Sequence, residues 1–263
     1  MKLIFKSWKR FISEGSVKGK HNLKYYAFDW DDNLLYMPTK IMLLDKSGSE
    51  VEMGSRDFAT YRDKIGKEEF NYKGSVIKDY APEAFRNFRP KADNKFVNEA
   101  IEAATNDELH GPSWDAFLEC LNTGSIFAII TARGHNPSAI RRAVKQMILR
   151  NLGGISSGQV YDSIRSYNEI FEKGNRDGSI EGYLRLCKFY PVSNEKFAGS
   201  MGSPEQAKEK ALREFREYCQ SFNEGKVIKL GFSDDDPKNV KVIRDAFAEP
   251  IDGVNMSIFY TGH

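Results

Sequence analysis

Three short apolar runs, each ending in polar residues of an unusual kind, constrain this chain more than any other feature. Tyr25-Tyr26-Ala27-Phe28 runs into Asp29-Trp30-Asp31-Asp32-Asn33. Ile126-Phe127-Ala128-Ile129-Ile130 runs into Thr131-Ala132-Arg133-Gly134, and Val227-Ile228-Lys229-Leu230-Gly231-Phe232 into Ser233-Asp234-Asp235-Asp236. Near-continuous runs rich in aromatic and β-branched residues read as strands buried on both faces of a parallel sheet. Helix-start signals follow two of them. Asn136-Pro137 opens 137–150 and Asp236-Pro237 opens 237–248, each with a capping residue ahead of a proline at the first helical position. Ser203-Pro204-Glu205-Gln206 opens 204–222, with Gln206 placed as in a capping box. Strand, polar tip and helix in repetition are the signature of an open α/β sheet. Ligands bind such sheets at the carboxyl ends of the strands, so the three tips are expected to gather at one edge.

The 263 residues suffice for one large domain or a core with a sizeable insertion. Residues 23–35 and 110–263 are expected to form the core, with a second insertion over 155–202. The segment 36–109 reads as an inserted cap, with a hairpin from Ile41 to Met53 turning at Lys46-Ser47-Gly48-Ser49 and a helix near 93–105. Another helix is expected near 113–122. Residues 1–22 read as a helix and linker: Leu3, Ile4, Trp8, Phe11 and Ile12 fall at helical spacing. Docking on the domain is the expectation for that helix, with a membrane surface or a partner as the alternative. Lysines interrupt the stretch as they would not in a secretory signal, and no apolar run is long enough to span a bilayer.

Lys and Arg number 39 against 37 Asp and Glu, a formal charge of +2. A dedicated nucleic-acid binder carries a strongly basic face, so nucleic acid is a partner that the net charge does not point to. Cys120, Cys187 and Cys219 are odd in number and without paired spacing, which fits a reducing, cytoplasmic setting and not a disulfide framework or zinc site.

Two carboxylates at one strand tip, Asp29 and Asp31, repel each other and need a cation or a shared proton. Such a pair can divide phosphoryl transfer between them, one attacking phosphorus and the other exchanging a proton with the leaving oxygen. Asp234 and Asp235 add oxygen ligands at another tip. A set of oxygen ligands without Cys or clustered His favours Mg²⁺ over zinc. Asp236 reads as the cap of the helix that follows. Thr131 can hold a phosphoryl oxygen beside a helix N-terminus or simply close a turn. Arg133 reads equally as a clamp on a substrate phosphate and as a solvated loop cation. For a fixed cation, helical spacing selects Lys208: it falls within the apolar stripe of Ala207, Ala211, Leu212, Phe215 and Cys219, whereas Lys210 faces away. Lys188 and Lys226 are the fallbacks.

In this order the pattern resembles the haloacid dehalogenase superfamily of phosphohydrolases. The likeness rests on Asp29-Trp30-Asp31-Asp32-Asn33-Leu34, Thr131 after an apolar run, Lys208, and Gly231-Phe232-Ser233-Asp234-Asp235. Pro204-Glu205-x-x-Lys208 and Thr131-Ala132-Arg133-Gly134 are similar to its phosphatase members. Asn33 stands where the family usually has Thr or Val, and Asp32 where it often has Gly. The resemblance implies a Rossmann-like three-layer α/β core with a parallel sheet and a cap. It implies a magnesium-dependent phosphatase in which Asp29 is the nucleophile and Asp31 the acid, while Thr131 and Lys208 hold the phosphoryl oxygens. It places Mg²⁺ on Asp29, the backbone carbonyl of Asp31, Asp234 and Asp235, with Asp234 ahead of Asp235.

The expected partner is a small-molecule phosphate ester. The aromatic and basic residues between 36 and 90 read as an ordinary small core with solvated cations or, alternatively, as the binding surface for a nucleotide-like substrate, with Arg86 and Arg89 as substrate-binding residues. The alternative is a non-catalytic protein that binds phosphate or a phosphorylated partner on the same fold. Binding alone, however, requires neither a nucleophile nor an acid.

Overall fold

The computed structural model describes residues 24–166, 178–198, 202–223 and 225–262. The helix and linker expected over 1–22 lie outside the described residues. The first half of the chain carries β1 (Lys24–Phe28), β2 (Lys40–Asp45), β3 (Glu50–Gly54), α1 (Ser55–Tyr61), β4 (Phe70–Tyr72), β5 (Ser75–Tyr80), α2 (Asp93–Thr105), α3 (Trp114–Asn122) and β6 (Phe127–Thr131). The second half carries α4 (Pro137–Leu149), α5 (Ser157–Ser166), α6 (Ile180–Leu186), β7 (Lys188–Pro191), α7 (Glu195–Ala198), α8 (Pro204–Ser221), β8 (Ile228–Asp234), α9 (Pro237–Ala246) and β9 (Val254–Tyr260).

Five strands form an all-parallel sheet in the order β7-β6-β1-β8-β9. The three apolar runs are its central strands, and every residue of β1 and β6 is buried, as strands covered on both faces require. The chain moves from β1 outward through β6 to β7, then crosses back to β8 on the other side of β1. With right-handed crossovers, that reversal sends α8 and α9 to the opposite face from α2 to α6. The reversal also makes the gap between β1 and β8 the topological switch point, where such sheets open a crevice. Register sets what stands there. Phe28 pairs with Ser233, so the next residues, Asp29 and Asp234, lie side by side.

Helix starts follow local chemistry. Ser203 Oγ accepts from the Gln206 N–H and Asp236 Oδ1 from the Lys238 N–H, closing the first turns of α8 and α9. Asn136 stands at the start of α4, but its side chain donates to Asp93 at 2.8 Å and does not cap the helix.

The chain leaves this core at Tyr36 and returns beside its exit. Tyr36 N–H donates to the Leu109 carbonyl and Gly111 N–H to the Leu34 carbonyl, both at 2.8 Å. Gly111 is needed for that approach, since a Cβ there would stand 2.4 Å from the Asn33 carbonyl oxygen. Between exit and return, β2 to β5 form a separate antiparallel sheet in the order β3-β2-β5-β4, with its own small core of Ile41, Leu43, Met53, Ile65, Tyr72, Ile77 and Ala84. The expected hairpin is β2 and β3.

Two expectations about organisation change. Helix α2, assigned with the inserted segment 36–109, buries Phe96, Val97, Ala100, Ala103 and Ala104 in the main core. The segment 155–202 is not an insertion: β7 hydrogen-bonds to β6, and Val160, Ile164, Tyr183 and Leu184 join the same core. It is one more helix-and-strand unit of the sheet. No helix among the described residues is long and apolar enough to cross a membrane.

Candidate active site

The carboxyl edge of the parallel sheet and the inserted sheet enclose a cavity of about 520 Å³. The core contributes Asp29, Asp31, Asp32, Thr131, Arg133, Lys208 and Asp235 to its lining. Strand tips supply all but Lys208, which comes from the first turns of α8. Its side chain is 2% exposed, and Nζ lies 2.7 Å from Asp29 Oδ1 and 2.7 Å from Asp234 Oδ2. The helical spacing that placed it on the apolar face is thus resolved by two buried anions. Of the fallback lysines, Lys188 lies over the Tyr218 ring and Lys226 is exposed, and neither lines the cavity.

Asp29, Asp234 and Asp235 present carboxylate oxygens within 4.8 Å of one another. Three carboxylates around one ammonium leave negative charge in excess. Burial raises the Asp29 carboxyl well above the usual range; Lys208 opposes the rise, while Asp234, Asp235 and Asp31 add to it. Burial, with Asp234 and Asp32, pushes Asp235 up to about 8. Lys208 is held protonated: burial opposes its charge, but Asp234 and Asp29 outweigh that.

The two carboxylates at the third tip differ. Asp234 is fully buried and its oxygens accept from the Asp236 N–H at 2.9 Å, from Asn239 Nδ2 at 3.0 and 3.1 Å, and from Lys208. Asp235 lines the cavity. Donors thus already occupy both oxygens of Asp234, whereas Asp235 faces the cavity. Asp236 caps α9 as expected and also pairs with Arg62 of the inserted segment at 2.8 Å.

Asp31 stands apart from this cluster. Arg133 grips it with two parallel bonds, Nε to Oδ2 at 2.8 Å and Nη2 to Oδ1 at 2.6 Å. Arg133 is 1% exposed, with its guanidinium between the rings of Phe88 and Phe96 at 4.7 and 4.9 Å, and Nη2 also reaches Thr39 Oγ1 at 3.0 Å. It is not a solvated loop cation: Nε and Nη2 hold Asp31, while the buried Nη1 has no hydrogen-bond partner. A bidentate pair of this kind fixes the plane of the carboxylate. Thr131 is buried at the cavity wall, and its Oγ1 accepts from the Arg133 N–H at 3.3 Å.

Arg89 lines the cavity, whereas Arg86 does not: it is bound to Glu50 by two bonds of 2.9 and 2.6 Å on the inserted sheet. Sequence reasoning missed what holds the tips together. Asn33 Nδ2 reaches the Asp29 carbonyl at 3.0 Å and Ser233 Oγ at 3.1 Å, and its Oδ1 accepts from Ser113 at 2.8 Å and Thr261 at 2.7 Å. The buried Asn thus ties β1 to β8, a role that neither Thr nor Val can fill with two donors and two acceptor sites. Asn239 does the same for Asp234. Neither offers a local signal, since Asn33 follows Asp31-Asp32 and Asn239 follows Lys238 in polar stretches.

Comparison with protein-family models, with curated proteins and with solved structures found no match.

Proposed function

We propose that this chain is a Mg²⁺-dependent phosphomonoester hydrolase of the haloacid dehalogenase type, working through an aspartyl-phosphate. The observation that carries the reading is the Lys208 bridge. A buried ammonium spans Asp29 and Asp234 at 2.7 Å each, at the switch point of the sheet, in a cavity that also holds Asp31 and Thr131. Fixed charge beside a carboxylate nucleophile is what phosphoryl transfer asks of a protein.

The donor set fits a divalent cation. Three carboxylates face one ammonium; burial first, and then their mutual repulsion, raise Asp29 and Asp235, and a hard cation with oxygen ligands relieves both. Asp29 and Asp235 would hold the metal, with Asp234 behind them. Bound there, Mg²⁺ supplies neutralising charge for phosphoryl oxygens.

A carboxylate oxygen of Asp29 forms a bond to phosphorus as the ester P–O bond breaks, and the leaving oxygen takes a proton from Asp31. Asp31 then removes a proton from water, the water oxygen bonds to phosphorus, and the bond to Asp29 breaks. Phosphate leaves and both carboxyl groups return to their starting states. Lys208 and the Thr131 hydroxyl hold phosphoryl oxygens, and Arg133 is a positioning residue that orients Asp31. The test is hydrolysis of an aryl phosphate with Mg²⁺, lost on chelation and recovered on adding the metal back. Full rate in chelator would overturn the metal assignment. A folded protein that binds inorganic phosphate but hydrolyses no ester would be the non-catalytic binding module instead.

A further inference from the structure

One wall of the cavity is not used by the proposed phosphoryl-transfer chemistry. The inserted segment supplies that wall with Phe58, Tyr80, Phe85 and Phe88, all half-buried. The rings pack edge to face, Phe58 on Phe85 at 5.7 Å and 82°, Phe85 on Phe88 at 6.1 Å and 71°. Their packing with one another leaves an apolar face toward the cavity.

Five cations line the same cavity, and four of them have carboxylate partners: Lys208 with Asp29 and Asp234, Arg133 with Asp31, Arg62 with Asp236, and Lys238 with Asp63. Arg89 differs. Among the described residues it has no carboxylate partner, and its one side-chain bond runs from Nη1 to the Ser193 carbonyl at 3.0 Å. Its position is nevertheless fixed. The Gly134 N–H donates to the Phe88 carbonyl at 2.9 Å, pinning the backbone just ahead of Arg89 to the tip of β6. A Cβ at Gly134 would lie 3.1 Å from Arg89 Nη1, so glycine leaves room for the guanidinium.

An aromatic wall and a guanidinium without an anion, facing one cavity, are complementary to one kind of leaving group. Building on the hydrolase reading, we infer that the substrate is a phosphomonoester whose alcohol carries a flat aromatic ring and a second anionic group. Nucleotides with two separate phosphates have this chemistry. The reacting phosphate lies with Lys208 and Thr131, the ring packs on Phe58 and Phe85, and the second anion takes the remaining N–H groups of Arg89. A cavity of about 520 Å³ is of the size that encloses such a molecule.

The experiment compares kcat/KM for adenosine 3′,5′-bisphosphate, the adenosine 3′- and 5′-monophosphates, ribose 5-phosphate and an aryl phosphate. The bisphosphate is expected to exceed both monophosphates by about tenfold or more, and adenosine 5′-monophosphate to exceed ribose 5-phosphate. In Arg89→Ala the bisphosphate-to-monophosphate ratio falls toward one. In Phe85→Leu the ratio of nucleotide to ribose phosphate falls instead. Losses common to all substrates cancel in these ratios. Equal wild-type values, or ratios untouched by the two substitutions, would overturn the inference while aryl phosphate hydrolysis kept the hydrolase reading in place. Failure on every ester, aryl phosphate included, would remove both.

Discussion

The tips of β1 and β8 and the wall of the inserted sheet face one another across a single cavity, yet they are built on opposite terms. At the tips, Asp29, Asp234 and Lys208 are buried and hold one another, and Asn33 and Asn239 close the remaining bonds. On the inserted wall, the rings are half exposed, Arg89 is exposed, and the exposed Asp63 pairs with Lys238 of α9. Buried charges depend on each other: removing one leaves the rest uncompensated. Exposed pairs are screened and exchange partners with little loss. One side therefore suits fixed chemistry and the other suits recognition that can vary.

The largest effect is expected at Lys208. Lys208→Met strands two buried carboxylates, so it should abolish turnover and cost about 3–5 kcal/mol of stability in urea titrations. Adding Asp29→Asn to it should recover part of that stability without recovering activity. An unchanged stability in the single variant would break the contrast between the two walls.

Asp31→Asn comes next, with an expected loss of about 10²- to 10⁴-fold in kcat. The loss should be least for esters whose alcohols leave without help from an acid, such as nitrophenyl phosphate. Arg133→Lys keeps a charge but loses the two-pronged grip on Asp31. It should fall in the same direction by less, and show the same dependence on the leaving group. Identical losses across all leaving groups would mean that the pair supports the fold alone.

A third effect separates the core from the inserted sheet by pH. His135 is fully buried against Phe96. Burial first, and then the Arg133 charge, push it down to about 3 from an ordinary 6.5. Between those values the unfolded chain binds a proton that the folded chain does not. The contribution of His135 to stability is therefore full above pH 6.5 and is lost as pH falls toward 3, by about 2 kcal/mol at pH 5. His135→Phe should keep its stability at pH 7 and remove that part of the acid slope. An unchanged slope would mean that the ring is not neutral in the folded core.

The smallest effects belong to the rim. Arg62→Ala breaks a partly exposed pair with Asp236 and should cost less than about 1 kcal/mol in the same titrations. Arg86→Ala should leave the substrate ratios unchanged, since Arg86 is held by Glu50 outside the cavity. A change in those ratios would put Arg86 back among the recognition residues.

Much of the scaffold was legible in the residues themselves. Continuous apolar runs marked β1, β6 and β8, and Ser203 and Asp236 marked the helix starts, because both signals are local. Lys208 was found because a helix repeats every 3.6 residues, so a lysine within its apolar stripe stands out. Strand β7 was missed because Lys-Phe-Tyr-Pro is too short to show a period, and β9 because only Phe259 in it is buried. The settings of Arg133 and Arg86 were not legible for a different reason. Their partners, Asp31 and Glu50, lie 102 and 36 residues away and are brought in by the fold. Arg86 and Arg89, three residues apart, look alike in sequence, and only the course of the backbone separates them.

In the proposed mechanism Asp29, gripped by Lys208, becomes covalently phosphorylated. The most direct test is an acid quench of the Asp31→Asn protein during turnover of a substrate labelled in the phosphoryl group, followed by peptide mapping. Slowed hydrolysis of the intermediate should let label accumulate on Asp29, stable to acid and released by hydroxylamine. Turnover without label on Asp29, or label on another residue, would contradict the account.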